Sequence, residues 1–191
     1  MKRLVPLIIL LVAIILFLAF RTEQGSPTPT SSGSPSAAAT QIPLPSRFDF
    51  SQINATYRFS AELPEGWTAV YVPTTQAINI YDPRITDTVR LEQSQIFIRN
   101  FKAADFLTLD TVDILKRNPA TLHGHAAVEY EIVKKPEVPD FAGQPSWRSR
   151  RHKLIDVRYE PSGTSTFYVI AYNPALDPKV FESFLGSILF K

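Results

Sequence analysis

"SQIFIRNF", residues 94–101, is apolar on both sides of an extended chain, with Ile96 and Ile98 on one face and Phe97 and Phe101 on the other. Alternate residues of a strand point to opposite sides of the sheet, so such a strand has no face to give to water. It predicts a sheet covered on both sides, in a layered α/β/α or partly closed arrangement rather than an open one-sided sheet. Upstream, "YRFSAELPEGW", residues 57–67, alternates Tyr57, Phe59, Ala61 and Leu63 on one face and turns at Pro64-Glu65-Gly66. Residues 67–72 resume as the return arm of a hairpin, and residues 77–81 form a third strand that Asp82-Pro83 stops.

Downstream, residues 104–116 read equally as a helix or, over 111–115, as a short strand with Val112 inward, because Phe106, Leu109, Val112 and Leu115 also fall near helical spacing. "GHAAVEYEIV", residues 124–133, sets Ala127, Glu129, Glu131 and Val133 against Val128, Tyr130 and Ile132, the alternation of a strand. Residues 135–146 hold three prolines and a glycine and read as a long loop. "WRSRRHKLIDVRYE" begins another strand, Pro161-Ser162-Gly163 turns it, and "STFYVIAY" returns as its hairpin partner. Asp177 then caps a terminal helix whose first residue is Pro178. Val180, Phe181, Phe184, Leu185 and Ile188 form the apolar stripe that packs this helix on the sheet.

A different signal precedes the domain. After Met1-Lys2-Arg3, residues 4–20 carry no charged or strongly polar side chain. These 17 residues give roughly 25 Å of helix, near the lower limit for crossing a hydrocarbon core. A cleaved secretory signal is the alternative, but the apolar run exceeds the usual limit of about 15 residues, and bulky Phe20 suits a cleavage site poorly. The expectation is an uncleaved transmembrane signal-anchor over residues 1–20. The basic flank keeps the N-terminus cytoplasmic and the C-terminal domain extracytoplasmic, in a single-pass cell-membrane topology. Residues 21–46 contain five prolines and ten Ser/Thr, too little apolar surface to offset the entropy of ordering, and read as a flexible linker or a glycosylated stalk. The globular domain is then residues 47–191.

With Lys2 and Arg3 set aside, 18 basic side chains balance 18 acidic ones, so no general field attracts nucleic acid. The chain has no cysteine, which excludes disulfides, thiolate metal sites and thiol catalysis.

The segments "YRFSAELPEGW", "LHGHAAVEYEI", "FYVIAY" and "DPKVFESFLGSILF" together resemble the PsbP-like domain, over roughly residues 55 to 190. "FKAADFL" and "PSWRSRRH" are similar to segments of membrane-anchored PsbP-related proteins of uncharacterised function from uncultured bacteria. The resemblance implies an α+β fold, an α/β/α sandwich around a mainly antiparallel sheet. It also implies binding or assembly more than catalysis.

Chemistry-bearing patterns are sparse. His123 and His125 would share one side of a strand at a spacing that can chelate a metal, or else flank an exposed turn at Gly124. Ser149, His152 and Asp156 compose a triad on paper, without a nucleophile elbow or oxyanion motif. No catalytic residue, metal or cofactor is assigned. The candidate binding surface is Trp147, Arg148, Arg150, Arg151, His152 and Lys153. On a strand, Arg148, Arg150 and His152 would face one way, and Arg151 and Lys153 the other. Such a surface suits an anionic envelope component or an acidic protein. The reading preferred for it is nonetheless a charged edge strand that resists pairing with another chain, with Trp147 as a core cover. Arg99 is expected to pair with Asp105 or Asp156. These readings converge on a membrane-tethered, non-enzymatic binding or assembly module outside the cell membrane, held there through residues 4–20. The contrasting class is a hydrolase or transferase acting on envelope glycans.

Overall fold

A computed structural model describes residues 47–86, 91–102, 110–159 and 166–191. The anchor, the linker, residues 104–109 of the candidate helix and the turn at residues 161–163 lie outside the described residues. Among the described residues, no helix is long and apolar enough to cross a membrane.

The chain enters through β1 (Arg47–Asp49), a 3-10 turn at Phe50–Gln52 and β2 (Phe59–Glu62). It continues through β3 (Thr68–Val72), β4 (Ala77–Tyr81) and β5 (Ile96–Lys102). Next come β6 (Val112–Leu122), β7 (His125–Lys134), β8 (His152–Arg158) and β9 (Thr166–Tyr172). Helix α1 (Pro178–Gly186) and β10 (Leu189–Phe190) close it. Seven strands form a large sheet in the order β3-β4-β5-β9-β8-β7-β6, and a small sheet runs β1-β2-β10. Every pairing is antiparallel. The described residues are thus mostly antiparallel sheet with one helix.

The two-faced reading of residues 94–101 holds. Ile96 and Ile98 enter a core with Ile78, Ile80, Ile170 and Tyr168, which α1, the 3-10 turn and the small sheet cover through Phe184, Phe181, Phe50 and Phe59. Phe97 enters a second cluster on the opposite face, with Phe167, Val169, Leu154 and Trp147. Among the described residues this second face is covered by the loop between β7 and β8, not by a second helix as the sandwich expectation required.

Three other expectations change. Residues 57–72 do not form a hairpin, because β2 is already paired on both edges, by β1 and by β10. The turn after Pro64, with Gly66 at φ +78°, instead hands the chain to β3 in the other sheet. Residues 112–116 belong to a strand, and that strand runs on through Pro119 to Leu122. Proline is tolerated there because β6 is an edge strand and the missing N–H costs no ladder bond. The strand expected from Trp147 begins only at His152, and it is interior: β8 lies between β7 and β9. The protected edge is β6, a mostly exposed strand with a bulge between Ile114 and Lys116, charges at Asp113, Lys116 and Arg117, and Pro119.

The terminal helix matches its sequence. Asp177 accepts a hydrogen bond from the Lys179 N–H at 3.0 Å with Pro178 behind it, and Phe181 and Phe184 are buried; Ile188, expected on the helical stripe, is buried just past the helix end. Ser187 ties its end to β2: its hydroxyl accepts from the Glu62 N–H (2.8 Å) and donates to the Phe184 carbonyl (2.7 Å).

Candidate functional site

The basic segment divides into a buried half and an exposed half. Residues 146–149 form a 3-10 turn after Pro145, anchored where Glu92 accepts from the Ser146 N–H (2.8 Å) and hydroxyl (2.7 Å). The turn lays Trp147 on the sheet, and its indole N–H donates to the Ser94 carbonyl at 2.8 Å. Arg148 follows it inward, its guanidinium 5.1 Å from the Phe97 ring, and donates to Gln144 Oε1 (3.3 Å) and to His152 Nε2. His152 in turn donates from Nδ1 to the Arg150 carbonyl at 2.7 Å. This pattern requires the neutral ring, protonated on Nδ1. Burial, then the neighbouring Arg148 charge, pushes the His152 pKa down to about 3. Burial and nearby Arg99 push Arg148 down to about 9. No carboxylate pairs with Arg148 among the described residues. Trp147, Arg148 and His152, expected on a binding surface, are therefore interior residues.

Other sequence expectations resolve in the same region. Both ring nitrogens of His152 are engaged elsewhere, so the paper triad with Ser149 and Asp156 does not assemble. Asp156 is buried, with Oδ2 3.2 Å from Arg158 and Oδ1 unpartnered, and burial raises its pKa. It does not pair with Arg99, because β9 stands between them at Val169; Arg99 lies over Phe101 instead, 4.8 Å from the ring. Asp105 is outside the described residues. His123 and Gly124 (φ +49° and +83°) are the two central residues of the β6–β7 turn. His123 Nε2 contacts the Leu185 carbonyl (2.9 Å) while His125 packs edge-on against Phe190, so the two imidazoles do not converge. Among the described residues no group of three His, Asp or Glu side chains could hold a metal.

Arg150, Arg151 and Lys153 remain exposed at the start of β8. Arg151 is committed to Glu131, whose other oxygen lies 3.6 Å from Lys116. Arg151, ahead of Lys116, holds the Glu131 carboxyl below the usual range.

Beside this corner lies a feature that reading the basic run alone misses, a cleft of about 280 Å³ between α1 and the β6-β7-β8 end of the large sheet. Two cross-strand rows make its floor: Lys116, Glu131 and Lys153, then Asn118, Glu129 and Ile155. Pro178, Phe181, Glu182 and Leu185, one face of α1, make the wall. Tyr172 of β9 sits at the base, stacked on Phe181 with centroids 4.2 Å apart. Burial, then Glu182, Glu131 and Glu129, raises the Tyr172 pKa.

No protein-family model matches the chain, and no curated protein matches it. Solved structures do. One is cyanobacterial PsbP (CyanoP) from Synechocystis sp. PCC 6803. Its solution structure is 11% identical, with 83% of this chain and 100% of that chain covered and a TM-score of 0.43. A crystal structure from Bacteroides thetaiotaomicron VPI-5482 is 11% identical over 73% of this chain and 47% of that one, with a TM-score of 0.34. This chain spans about half the length of the Bacteroides structure. At such distances no residue role, ligand or partner passes to this chain.

Proposed function

We propose that the protein is a membrane-tethered, extracytoplasmic, non-enzymatic binding or assembly module that docks an anionic envelope component or an acidic protein face. One observation carries the docking surface: Arg150 and Lys153 stand exposed with no acidic partner among the described residues, next to Arg151. A surface cation without a partner keeps its full charge for a ligand, whereas Arg151 spends part of its own on Glu131. Tethering rests on the apolar run at residues 4–20 behind Lys2 and Arg3, and the PsbP-like reading, with its α/β/α sandwich, rests on the sequence motifs. Because the basic and acidic side chains beyond Arg3 balance, the attraction is local and fades within a Debye length of about 8 Å at physiological salt.

The test is binding of the detergent-solubilised full chain to isolated envelope fractions across a salt series. The variant carrying Arg150→Gln and Lys153→Gln is expected to bind less with its melting temperature held. Unchanged envelope binding by that variant removes the docking surface. Protease added to intact spheroplasts is expected to digest the domain, and protection there reverses the topology. Glycan hydrolysis is the competing reading, favoured by the three glutamates around the cleft, Glu129, Glu131 and Glu182. Release of soluble fragments from purified envelope glycan, lost on Glu129→Gln, would establish it.

A further inference from the structure

We infer that the cleft beside α1 is a binding site for a small zwitterion, a solute with an ammonium and a carboxylate a few ångströms apart, such as a free α-amino acid. The inference does not depend on the tethered, anion-docking reading.

The charges around the opening carry the argument. Glu131 is neutralised by Arg151 and Lys116. Glu129 on the floor, Glu182 on the wall and Lys153 at the end of the first row have no ion-pair partner among the described residues, and all line the same opening. A simple anion placed there meets two unbalanced carboxylates, and a simple cation meets the lysine. A zwitterion satisfies both, with its ammonium between Glu129 and Glu182 and its carboxylate toward Lys153.

The hydroxyl of Tyr172 is a second, independent observation. The residue is only 8% exposed and lines the cleft, and its hydroxyl, which makes no hydrogen bond to another described residue, is not buried but open to the cleft. Here the hydroxyl is left for a solute, and the ring below it is fixed by the Phe181 stack. The rest of the base, Ile155 and Leu185, is apolar, which strengthens charge contacts made above it. At about 280 Å³ the opening falls at the small end of ligand sites, which run from roughly 300 to 1,000 Å³, and this excludes nucleotides and glycan chains from full burial.

The test is calorimetric titration of the full chain in detergent micelles with each standard L-amino acid and D-alanine. Acetate and methylamine serve as single-charge controls. At least one amino acid is expected to bind saturably while neither control does. Glu129→Gln and Glu182→Gln should each weaken that binding about tenfold, the effect of losing one charge-assisted hydrogen bond. Tyr172→Phe, which keeps the stack, should weaken it by a smaller factor. Both glutamates are exposed, so their variants are expected to melt like the parent, and Tyr172→Phe supplies the measurement if one does not. The inference is overturned if no amino acid saturates, if acetate or methylamine binds as well, or if all three variants bind like the parent.

Discussion

Acid should unfold this protein through His152. The neutral ring is required by its two hydrogen bonds, to Arg148 and to the Arg150 carbonyl, and it is buried against Trp147 with centroids 5.6 Å apart. Its pKa falls from 6.5 to about 3 on folding, with burial the larger cause and Arg148 the second. Between those values the unfolded chain binds a proton that the folded chain refuses, so stability is complete above about pH 6.5 and is lost as pH falls. At about 1.36 kcal/mol per pH unit, the loss from this one group reaches about 2 kcal/mol at pH 5 and approaches 5 kcal/mol near pH 3. Urea unfolding of the full chain in detergent, followed by the fluorescence of Trp67 and Trp147, measures it. Carboxylates contribute to the same acid limb, so the informative quantity is the difference between the parent and His152→Gln, whose amide still offers one donor and one acceptor. The variant should lose about 2 kcal/mol less than the parent between neutral pH and pH 5. Equal losses in the two proteins, or a ring that titrates near 6.5 by NMR, would refute the buried neutral histidine.

Four further outcomes follow from the packing. Arg148→Met keeps an unbranched apolar chain and removes a buried cation that lacks a carboxylate among the described residues, so by urea unfolding it should be neutral or stabilising, by up to about 4 kcal/mol; a loss beyond about 1 kcal/mol would mean its bonds to Gln144 and His152 and its contact with Phe97 outweigh its desolvation. Phe184→Ala, at a ring 2% exposed and 6.3 Å edge-on from Phe50, should cost about 3–5 kcal/mol by the same assay. Tyr168→Phe removes a hydroxyl that accepts from the Arg58 N–H (2.7 Å) and donates to the Thr56 carbonyl (2.9 Å); the loss should be about 1–3 kcal/mol, read as a lowered urea midpoint. Arg150→Gln with Lys153→Gln should stay within about 0.5 kcal/mol of the parent, since both side chains are solvated.

The sequence made some elements legible because their patterns are local. A strand apolar on both faces, a period-2 run at residues 124–133 and an Asp-Pro helix start each declare themselves within ten residues. What failed depended on distant partners. Pro64-Glu65-Gly66 looks the same whether the chain turns back into its own sheet or crosses to another. The deciding fact is that β2 is flanked by β1 and by β10, the latter at the far end of the chain. Pro119 concealed the second half of β6 for a related reason: proline counts against a strand until the strand is known to be an edge.

The site was harder to read for two different reasons. In the basic run, alternation placed Arg148 and Arg150 together on one face of a strand. The 3-10 turn after Pro145 rotates the chain instead, and brings Arg148 onto His152, four residues on, leaving Arg150 in solvent. Proline followed by that four-residue spacing was the available clue. The cleft has no local motif, since four strands and a helix contribute to it, yet β7 carries its trace. Glu129 and Glu131 continue the core-facing row of Ala127, where a strand packed under a helix should have stayed apolar. Ala127 is covered and belongs to the main core, while the two glutamates face the cleft walled by Pro178, Phe181, Glu182 and Leu185 of the helix. The charged pair on the inner face therefore marks where the helix and the sheet part, and with it the place where the sheet has a floor to offer a solute.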